Sequence, residues 1–285
     1  MLTMKRATPA DREDVLLLWG EEFGDGGEFI DPFAQWCGWE NILLLKEDGR
    51  PCALTAIPAM ELAFPGGERA KVGYVYAHTT KKEQRGQGFG HILLNYSQFC
   101  LEEQGMDGVT LVPARPDLFR YFATSGYSPA FYLTEETVER GNLAAAITPL
   151  DPQAYGELRE ERLAEICHGV LPLGLLEQQE SLCLAQGGGL FAVETEGGRA
   201  CAVVERQADG ALFLRELLAP AGWENAAATG LCAALDAPRC TLRRPWRKED
   251  GEENRTPFGA MKWFATPLAR RFELPENAYF GLALD

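Results

Sequence analysis

The feature that most constrains this chain is a glycine-rich turn between a strand-like segment and a helix. Residues 72–78 are rich in β-branched and aromatic side chains, residues 85–90 read Arg-Gly-Gln-Gly-Phe-Gly, and apolar residues recur at helical spacing over residues 92–100. Glycine permits positive φ and lets the backbone approach a ligand closely, while the first N–H groups of a helix and its positive dipole end attract an anion. This order therefore predicts a phosphate or pyrophosphate site.

Three phosphate-binding patterns contain such a turn, and residue types separate them. A P-loop requires Gly-Lys-Ser/Thr at the helix start, whereas Gly90 is followed here by His91. A dinucleotide fingerprint fits Gly86 and Gly88, but it needs glycine at position 91 and an acidic residue about twenty positions later. The pattern Arg-x-x-Gly-x-Gly matches residues 85–90 throughout. A glycine turn that only ends a helix, with no ligand, stays open as an alternative.

Residues 85–90 resemble the acetyl-CoA pyrophosphate loop of the GCN5-related N-acetyltransferases, the GNAT superfamily. Residues 5–15 are similar to the opening strand and first helix of that family. After the loop helix, residues 109–112 and 117–127 are similar to its next strand and to a helix that ends in a Gly-aromatic pair. Together these matches cover roughly the first half of the chain.

The resemblance implies that the strand before the loop and the loop itself bind acetyl-CoA, which acts as a co-substrate. The backbone of the strand is expected to bond the pantetheine arm and to polarise the thioester oxygen. The expected coenzyme-binding residues are His78, Thr79, Thr80, Arg85, Gly86, Gln87, Gly88, Phe89, Gly90 and His91.

The resemblance also bears on the catalytic residues. Family members commonly protonate the leaving thiolate with a tyrosine five residues before the final aromatic, which here is Tyr127; that position is Phe122, and Tyr121 is its neighbour. Tyr121 is therefore the candidate acid, and a packing aromatic with a solvated hydroxyl is the alternative. His78 is a candidate base through its ordinary pKa, or a histidine that is simply hydrogen-bonded. In Eis-type relatives the terminal carboxylate enters the active site as the base, which makes Asp285 a second catalytic candidate; a final edge strand is the alternative for this terminus.

The predicted fold is an α/β fold (α+β, mixed sheet) with two GNAT-like domains in tandem. Each has a mixed, mostly antiparallel sheet flanked by helices, and the boundaries are 1–146 for the acetyl-CoA-binding domain and 147–285 for the second domain. In the first half, Asp48-Gly49 between two apolar runs predicts a β-hairpin. The second half repeats the order strand, helix, three strands, connection, helix, strand.

The second domain is predicted to be degenerate. Its connection, residues 219–225, lacks Arg-x-x-Gly-x-Gly, and Glu224 places a negative charge at the helix start. We therefore expect one coenzyme per chain. The layout resembles tandem members related to the Eis-type aminoglycoside acetyltransferases, without the additional C-terminal module of the longest ones.

Composition and charge exclude several classes of function. A net charge of −15 argues against non-specific nucleic-acid binding and favours a cationic acceptor. The basic segment 239–248 is followed at once by acidic residues, so we interpret it as a solvated strand end and loop. No signal-peptide core or membrane-spanning run is visible, and we expect a cytoplasmic protein.

The 8 cysteines include no Cys-x-x-Cys pair, which predicts buried thiols in a reducing compartment and neither a metal site nor a disulfide framework. Two functions from different classes follow. The first is an acetyl-CoA-dependent N-acetyltransferase that acts on a small, cationic amine. Assembly of this enzyme into a homo-oligomer is compatible with the sequence. The second is a non-catalytic acyl-CoA-binding or sensor protein with the same fold. Release of thiol from acetyl-CoA in the presence of amines would separate the two.

Overall fold

The computed structural model describes residues 1–142, 145–265 and 272–284. Its strands are β1 (Leu2–Arg6), β2 (Ile42–Glu47), β3 (Arg50–Ala56), β4 (Ala59–Ala63), β5 (Arg69–Thr80), β6 (Gly108–Leu111), β7 (Ser128–Glu139), β8 (Ile147–Pro149), β9 (His168–Val170), β10 (Gly189–Thr195), β11 (Gly198–Arg206), β12 (Leu212–Leu218), β13 (Arg239–Pro245) and β14 (Thr256–Trp263). Its helices are α1 (Arg12–Phe23), α2 (Gly27–Cys37), α3 (Phe89–Glu103), α4 (Leu118–Ala123), α5 (Pro152–Leu163), α6 (Leu173–Ala185) and α7 (Glu224–Ala234).

The chain forms two compact units that are interleaved in sequence. Unit 1 comprises Met1–Leu62, Arg69–Pro129 and Gly259–Glu273, and unit 2 comprises Ala63–Glu68, Ala130–Phe258 and Leu274–Asp285. This division differs from the sequence-based boundary between residues 146 and 147. The difference arises because strand pairing is non-local: β7 pairs with β13 in unit 2, and the last residues of β14 pair with β6 in unit 1.

The sheet of unit 1 has the order β1-β2-β3-β5-β6-β14. β5 and β6 run parallel, whereas the pairs β1/β2, β2/β3, β3/β5 and β6/β14 are antiparallel. A parallel pair needs a crossover connection, and α3 supplies it between β5 and β6. The β2–β3 turn has positive φ at Asp48 and Gly49, which confirms the hairpin that the Asp-Gly pair predicts.

The helices of unit 1 cover both faces of this sheet. Val75 belongs to the core cluster that contains α3, whereas the rings of Tyr74 and Tyr76 face the other way. The Tyr76 ring lies 5.5 Å from that of Trp19 in α1 and 5.2 Å from that of Phe33 in α2. Because neighbouring side chains of a strand point to opposite faces, α3 packs on one face and α1 and α2 pack on the other.

A glycine in β5 brings α3 close to the sheet. A Cβ atom at Gly73 would lie 2.4 Å from the side chain of Leu101, so only glycine leaves room for this packing. The close approach lies near the end of α3 and the beginning of β5.

Unit 2 repeats the topology of unit 1. Its sheet has the order β8-β10-β11-β12-β13-β7, with β12 and β13 parallel and α7 between them. The tandem arrangement of GNAT-like folds predicted from the sequence is thereby confirmed. The sequence analysis did not identify α6, whose buried face mixes Leu175 with Gln178 and Gln179 and so has weak apolar periodicity.

The C-terminal segment of unit 2, residues 278–284, is buried. Tyr279 forms an isolated parallel bridge with β9, and Arg159 Nη2 donates a hydrogen bond of 3.0 Å to the carbonyl of Phe280. The segment therefore attaches through a bridge and a side-chain contact rather than as an extended edge strand. Asp285, the predicted catalytic carboxylate, lies outside the described residues, and its role stays a prediction.

Two smaller expectations concern the cysteines and the basic segment. All 8 cysteines are buried and none of them, each within the described ranges, forms a disulfide. The basic residues of segment 239–248 are ion-paired: Arg239 with Asp209, Arg243 with Glu135, Arg244 with Glu136 and Asp250, Arg247 with Glu224, and Lys248 with Glu276. Over the described parts of the chain, we find no helix with both the length and the apolar character needed to cross a membrane.

Candidate active site

The glycine-rich turn lies between the end of β5 and the start of α3 in unit 1. Gly86 and Gly88 have φ values of 79° and 83°, and a Cβ atom at either position would meet nothing within 4 Å. These glycines are therefore required by backbone conformation and leave open space beside the loop. Gly88 is the residue that precedes the first turn of α3, as the sequence pattern predicts.

The start of α3 presents free N–H groups to this space. No side chain among the described residues caps the helix, and its first turn contains no acidic residue. The N–H of Ile92 bonds to the carbonyl of Gly88, so the helical hydrogen bonds begin only after Phe89, Gly90 and His91. Uncapped N–H groups and the positive end of the helix dipole together make an anion-binding site.

Arg85 stands at the edge of the loop and is engaged within the protein. Its guanidinium pairs with Glu22 at the end of α1, and its Nε donates to the carbonyl of Thr80 at 3.0 Å. The guanidinium therefore ties α1 and the end of β5 to the loop, while the loop backbone supplies the anion-binding groups.

A β-bulge interrupts β5 just before the loop. Tyr76 pairs with Ala56 and Thr79 with Leu54, so β5 advances by one residue more than β3 between these pairs. Ala77 accommodates the extra residue with a φ of 49°, which is uncommon for a residue other than glycine. A bulge re-aims the following side chain, here His78, and leaves one residue out of the regular ladder.

Tyr121 on α4 reaches the start of α3. A Cβ atom at Gly90 would lie 2.6 Å from the Tyr121 hydroxyl, so this hydroxyl occupies space that only glycine leaves free. Its neighbour Phe122 is buried in the core cluster of unit 1. Of these two adjacent aromatic residues, the one with a hydroxyl thus points to the loop, and burial raises the pKa of that hydroxyl.

The His78 imidazole lies in the same region. Its ring centroid is 6.4 Å from that of Tyr121 and 6.2 Å from that of Phe122. Both ring nitrogens are buried and have no hydrogen-bond partner within the described residues. Burial, together with the nearby imidazole of His91, lowers the pKa of His78 to about 4. His78 is therefore neutral at physiological pH, and an imidazole with so low a pKa is a weak base, which argues against the general base considered from the sequence.

His91 in the first turn of α3 stacks on Tyr121, with ring centroids 4.5 Å apart. Its Nδ1 lies 3.2 Å from the hydroxyl oxygen of Ser125. These two contacts fix the ring orientation beside the free N–H groups.

One cavity of about 560 Å³ joins these features within unit 1. Among the described residues, every predicted site residue except Gln87 lines it; Gln87 is in the loop but outside the lining. The lining residues are Glu22, Phe23, His78, Thr79, Thr80, Gln84, Arg85, Gly86, Gly88, Phe89, Gly90, His91, Ala114, Arg115, Leu118, Tyr121 and Phe122.

Several lining residues were not predicted from the sequence. Glu22 and Phe23 end α1, which the motif does not mention. Ala114 and Arg115 follow β6, and the parallel pairing of β5 with β6 places the carboxyl ends of both strands at one edge. Ligands of open α/β sheets bind at such an edge, so this rule could have located both residues had the pairing been known.

The corresponding helix start in unit 2 differs in its side chains. A Cβ atom at Gly197 would lie 2.2 Å from the indole of Trp223, which shows how tightly this ring packs at the start of α7. Glu224 is in the first turn and pairs with Arg247 at 2.5 Å. The described residues of the chain contain no cluster of three or more His, Cys, Asp or Glu side chains placed to hold a metal ion.

Comparison with known proteins agrees with this geometry. The Acetyltransferase (GNAT) domain family matches residues 3–130. A GCN5-related N-acetyltransferase from Anabaena variabilis ATCC 29413 has a TM-score of 0.71 at 14% identity, over 92% of this chain and 73% of that chain. Another from Kribbella flavida has a TM-score of 0.68 at 16% identity, over 92% and 71% of the two chains.

Eis1 from Mycobacterium abscessus also has a TM-score of 0.68, at 15% identity, over 92% of this chain and 73% of that chain. A sequence comparison with curated proteins finds no match. At such identities the structural likeness establishes the fold. Residues 3–130 match the GNAT domain, and most of the chain shares the fold of these solved structures.

Proposed function

We propose that this protein transfers an acetyl group from acetyl-CoA to the amine of a small, cationic acceptor, using the cavity of unit 1. The observation that carries the proposal is the Tyr121 hydroxyl beside the uncapped start of α3, because it places a proton donor next to an anion-binding loop. The domain match supports acyl-CoA-dependent acetyl transfer in general.

The loop is suited to the pyrophosphate of the coenzyme. The N–H groups of Phe89, Gly90 and His91 lie at the open side of the loop. The first turn of α3 contains no carboxylate that would repel a phosphate. Gly86 and Gly88 allow the backbone to approach the ligand without a side chain in between. Oxygen atoms of the pyrophosphate would accept hydrogen bonds from these groups.

Tyr121 is proposed as the general acid. In the transfer, the amine nitrogen bonds to the thioester carbonyl carbon, the carbon–sulfur bond breaks, and the amine gives up a proton to solvent water. The leaving thiolate takes the proton of the Tyr121 hydroxyl, and the tyrosinate recovers a proton from solvent, so that no net proton is gained or lost. Burial raises the Tyr121 pKa above its usual value, so the hydroxyl holds its proton at neutral pH.

The acceptor is proposed to be cationic for electrostatic reasons. The net charge of the chain is −15, which attracts cations over long range. Glu22 also lines the cavity. Its carboxylate forms an ion pair with Arg85, which offsets its negative charge, so the long-range attraction comes from the chain as a whole. Nucleic acid is not a proposed partner, since its phosphates would be repelled.

The test measures thiol release from acetyl-CoA with a panel of polyamines, aminoglycosides and amino-sugars. We expect turnover with at least one amine, and Tyr121→Phe is expected to lower it by about 10²-fold with nearly unchanged coenzyme affinity. Tyr96→Phe is the matched control, because Tyr96 stacks on Phe99 in α3 and does not line the cavity. Coenzyme binding without turnover on every amine would favour a non-catalytic acyl-CoA-binding protein instead.

A further inference from the structure

The mechanism above assigns no role to the side chain of His78. It lines the cavity, yet both ring nitrogens are buried and lack a hydrogen-bond partner among the described residues. Buried polar atoms of native proteins are nearly always hydrogen-bonded, and an orphaned one indicates a missing partner such as a ligand. This orphaned imidazole is the observation from which the inference starts.

Three polar atoms converge on the empty space at Gly90. Measured from the position that a Cβ atom of Gly90 would take, the Tyr121 hydroxyl is 2.6 Å away, and His78 Nε2 and Thr80 Oγ1 are each 3.4 Å away. We call His78, Thr80 and Tyr121 the Gly90 cluster. The bulge at Ala77 turns His78 toward α4, and α4 brings Tyr121 to the same point.

The chemistry of a thioester explains what such a cluster can recognise. A thioester has a carbonyl oxygen and a sulfur that accept hydrogen bonds, and it has no donor. The Gly90 cluster offers one imidazole N–H and two hydroxyls, which are donors. The cluster lies beside Gly90, which belongs to the anion-binding loop.

Resting on the proposed function, we propose that His78 Nε2–H donates a hydrogen bond to the carbonyl oxygen of the acyl thioester. Negative charge develops on this oxygen when the amine attacks, so a fixed donor stabilises the transition state more than the ground state. Tyr121 then donates a proton to the sulfur, and His78 donates a hydrogen bond to the carbonyl oxygen. His78 is in this assignment a catalytic residue that distinguishes acyl-CoA from free CoA.

The protonation state of His78 agrees with this role. A neutral imidazole has one N–H donor and one acceptor. Burial lowers the pKa of His78 to about 4, so the imidazole stays neutral at any pH well above that value. A neutral donor avoids placing a buried positive charge beside His91, and it keeps the same hydrogen bond across the physiological pH range. It also means that His78 does not take the proton of the amine.

The experiment compares the wild type with His78→Leu and His78→Gln, using calorimetric titration with acetyl-CoA and with free CoA, and turnover at saturating acetyl-CoA. Leucine removes the donor, whereas glutamine keeps a side-chain N–H. We expect His78→Leu to lower turnover by about 10²-fold and His78→Gln to recover part of the loss. Free CoA ends in a thiol and has no acyl carbonyl to accept this hydrogen bond. We expect its affinity for both variants to stay within about threefold of the wild-type affinity.

The pH–rate profile between pH 5.5 and 9 separates a hydrogen-bond donor from a general base. We expect the His78→Gln profile to keep the apparent pKa values of the wild type, because a residue that stays neutral over this range contributes none of them. A lost limb in that profile would overturn the assignment in favour of a general base.

Other outcomes separate this inference from the proposed function. If the wild type binds acetyl-CoA and releases thiol while His78→Leu performs equally well, the inference about His78 is wrong and the proposed function stands. An equal loss of free CoA and acetyl-CoA binding would show that His78 only shapes the cavity. If the wild type itself neither binds acetyl-CoA nor releases thiol, the proposed function fails first.

Discussion

At the scale of the residue, the contact between Gly90 and the Tyr121 hydroxyl ties the loop helix to the proposed acid. An alanine at position 90 would place a methyl group 2.6 Å from that hydroxyl. Because the tyrosine ring must move aside, we expect Gly90→Ala to lower single-turnover rates by about tenfold or more, since a displacement of about 1 Å can cost up to 10². Alanine in the first turn would by itself favour the helix by about 1 kcal/mol, so a loss of folding is not expected.

A double-mutant cycle checks this prediction. In the Tyr121→Phe background, we expect Gly90→Ala to cause a smaller further loss than in the wild type. The hydroxyl that it displaces is already gone, and only its 3.4 Å approach to His78 Nε2 and Thr80 Oγ1 remains. Equal losses in both backgrounds, measured at saturating acetyl-CoA, would show that Gly90 acts through the coenzyme and not through Tyr121.

A second residue-scale prediction concerns Asp11, which is buried at the start of α1. Burial alone would raise its pKa, but hydrogen bonds from Lys5, Thr8 and Lys46 outweigh burial and hold the pKa well below its usual range. We expect Asp11→Asn to lower the free energy of unfolding at pH 7 by about 1–3 kcal/mol, the cost of losing charged hydrogen bonds.

The sign of the pH dependence follows from the lowered pKa. The contribution of Asp11 is present above the pKa of the unfolded chain, about 3.9, and is lost as the pH falls through the lower folded value. Urea unfolding from pH 7 to pH 3 should therefore show the difference between wild type and variant shrinking only below about pH 4. Asp48→Asn is the control, since Asp48 is exposed and its variant should unfold like the wild type; a similar loss in both variants would contradict the argument.

At the scale of the element, the prediction concerns the loop between β5 and α3. Gly88 has a φ of 83° and open space where its side chain would be, and Gly49 in the β2–β3 turn has a φ of 80° and equally open space. Gly88→Val and Gly49→Val therefore carry the same kind of backbone strain. We expect only Gly88→Val to reduce affinity for CoA, by more than about tenfold, because only its side chain would enter the proposed pyrophosphate site.

Calorimetric titration of both variants, together with their unfolding curves, checks this expectation. Both should lose stability by a similar amount. A folded Gly88→Val variant that binds CoA like the wild type would show that residues 85–90 do not form the pyrophosphate site, and weak binding by both variants would point to a general effect of strain.

At the scale of the whole molecule, the two units share a topology and differ at the place where a coenzyme would bind. Neither helix start has a side-chain cap. The first turn of α3 in unit 1 contains no acidic residue, whereas α7 in unit 2 begins beside Trp223 and carries Glu224 in its first turn. Repulsion between an unpaired carboxylate and a phosphate at about 4 Å costs on the order of 4 kcal/mol at an effective dielectric near 20, and the ion pair of Glu224 with Arg247 reduces this cost.

We therefore expect one coenzyme per chain. Titration with acetyl-CoA should saturate near one equivalent, and Gly88→Val should remove that site without revealing another. Two equivalents per chain, or a surviving site in the variant, would show that unit 2 also binds the coenzyme.

The sequence by itself determined the elements whose cause is local. The glycines of residues 85–90 specify positive φ and an anion-binding helix start, Asp48-Gly49 specifies a tight hairpin turn, and Glu224 marks the second loop as different. Each of these follows from the conformational freedom or charge of a few adjacent residues. The order of elements, which reveals the repeated topology, follows from the same local patterns.

Only the tertiary structure decided which distant residues meet. Nothing local shows that β7 completes unit 2 or that residues 259–263 complete unit 1, because strand pairing depends on partners far along the chain. For the same reason the sequence left open whether Tyr121 is an acid or a packing aromatic. The packing of α4 buries Phe122 and aims the Tyr121 hydroxyl at the gap left by Gly90, where the bulge at Ala77 also places His78.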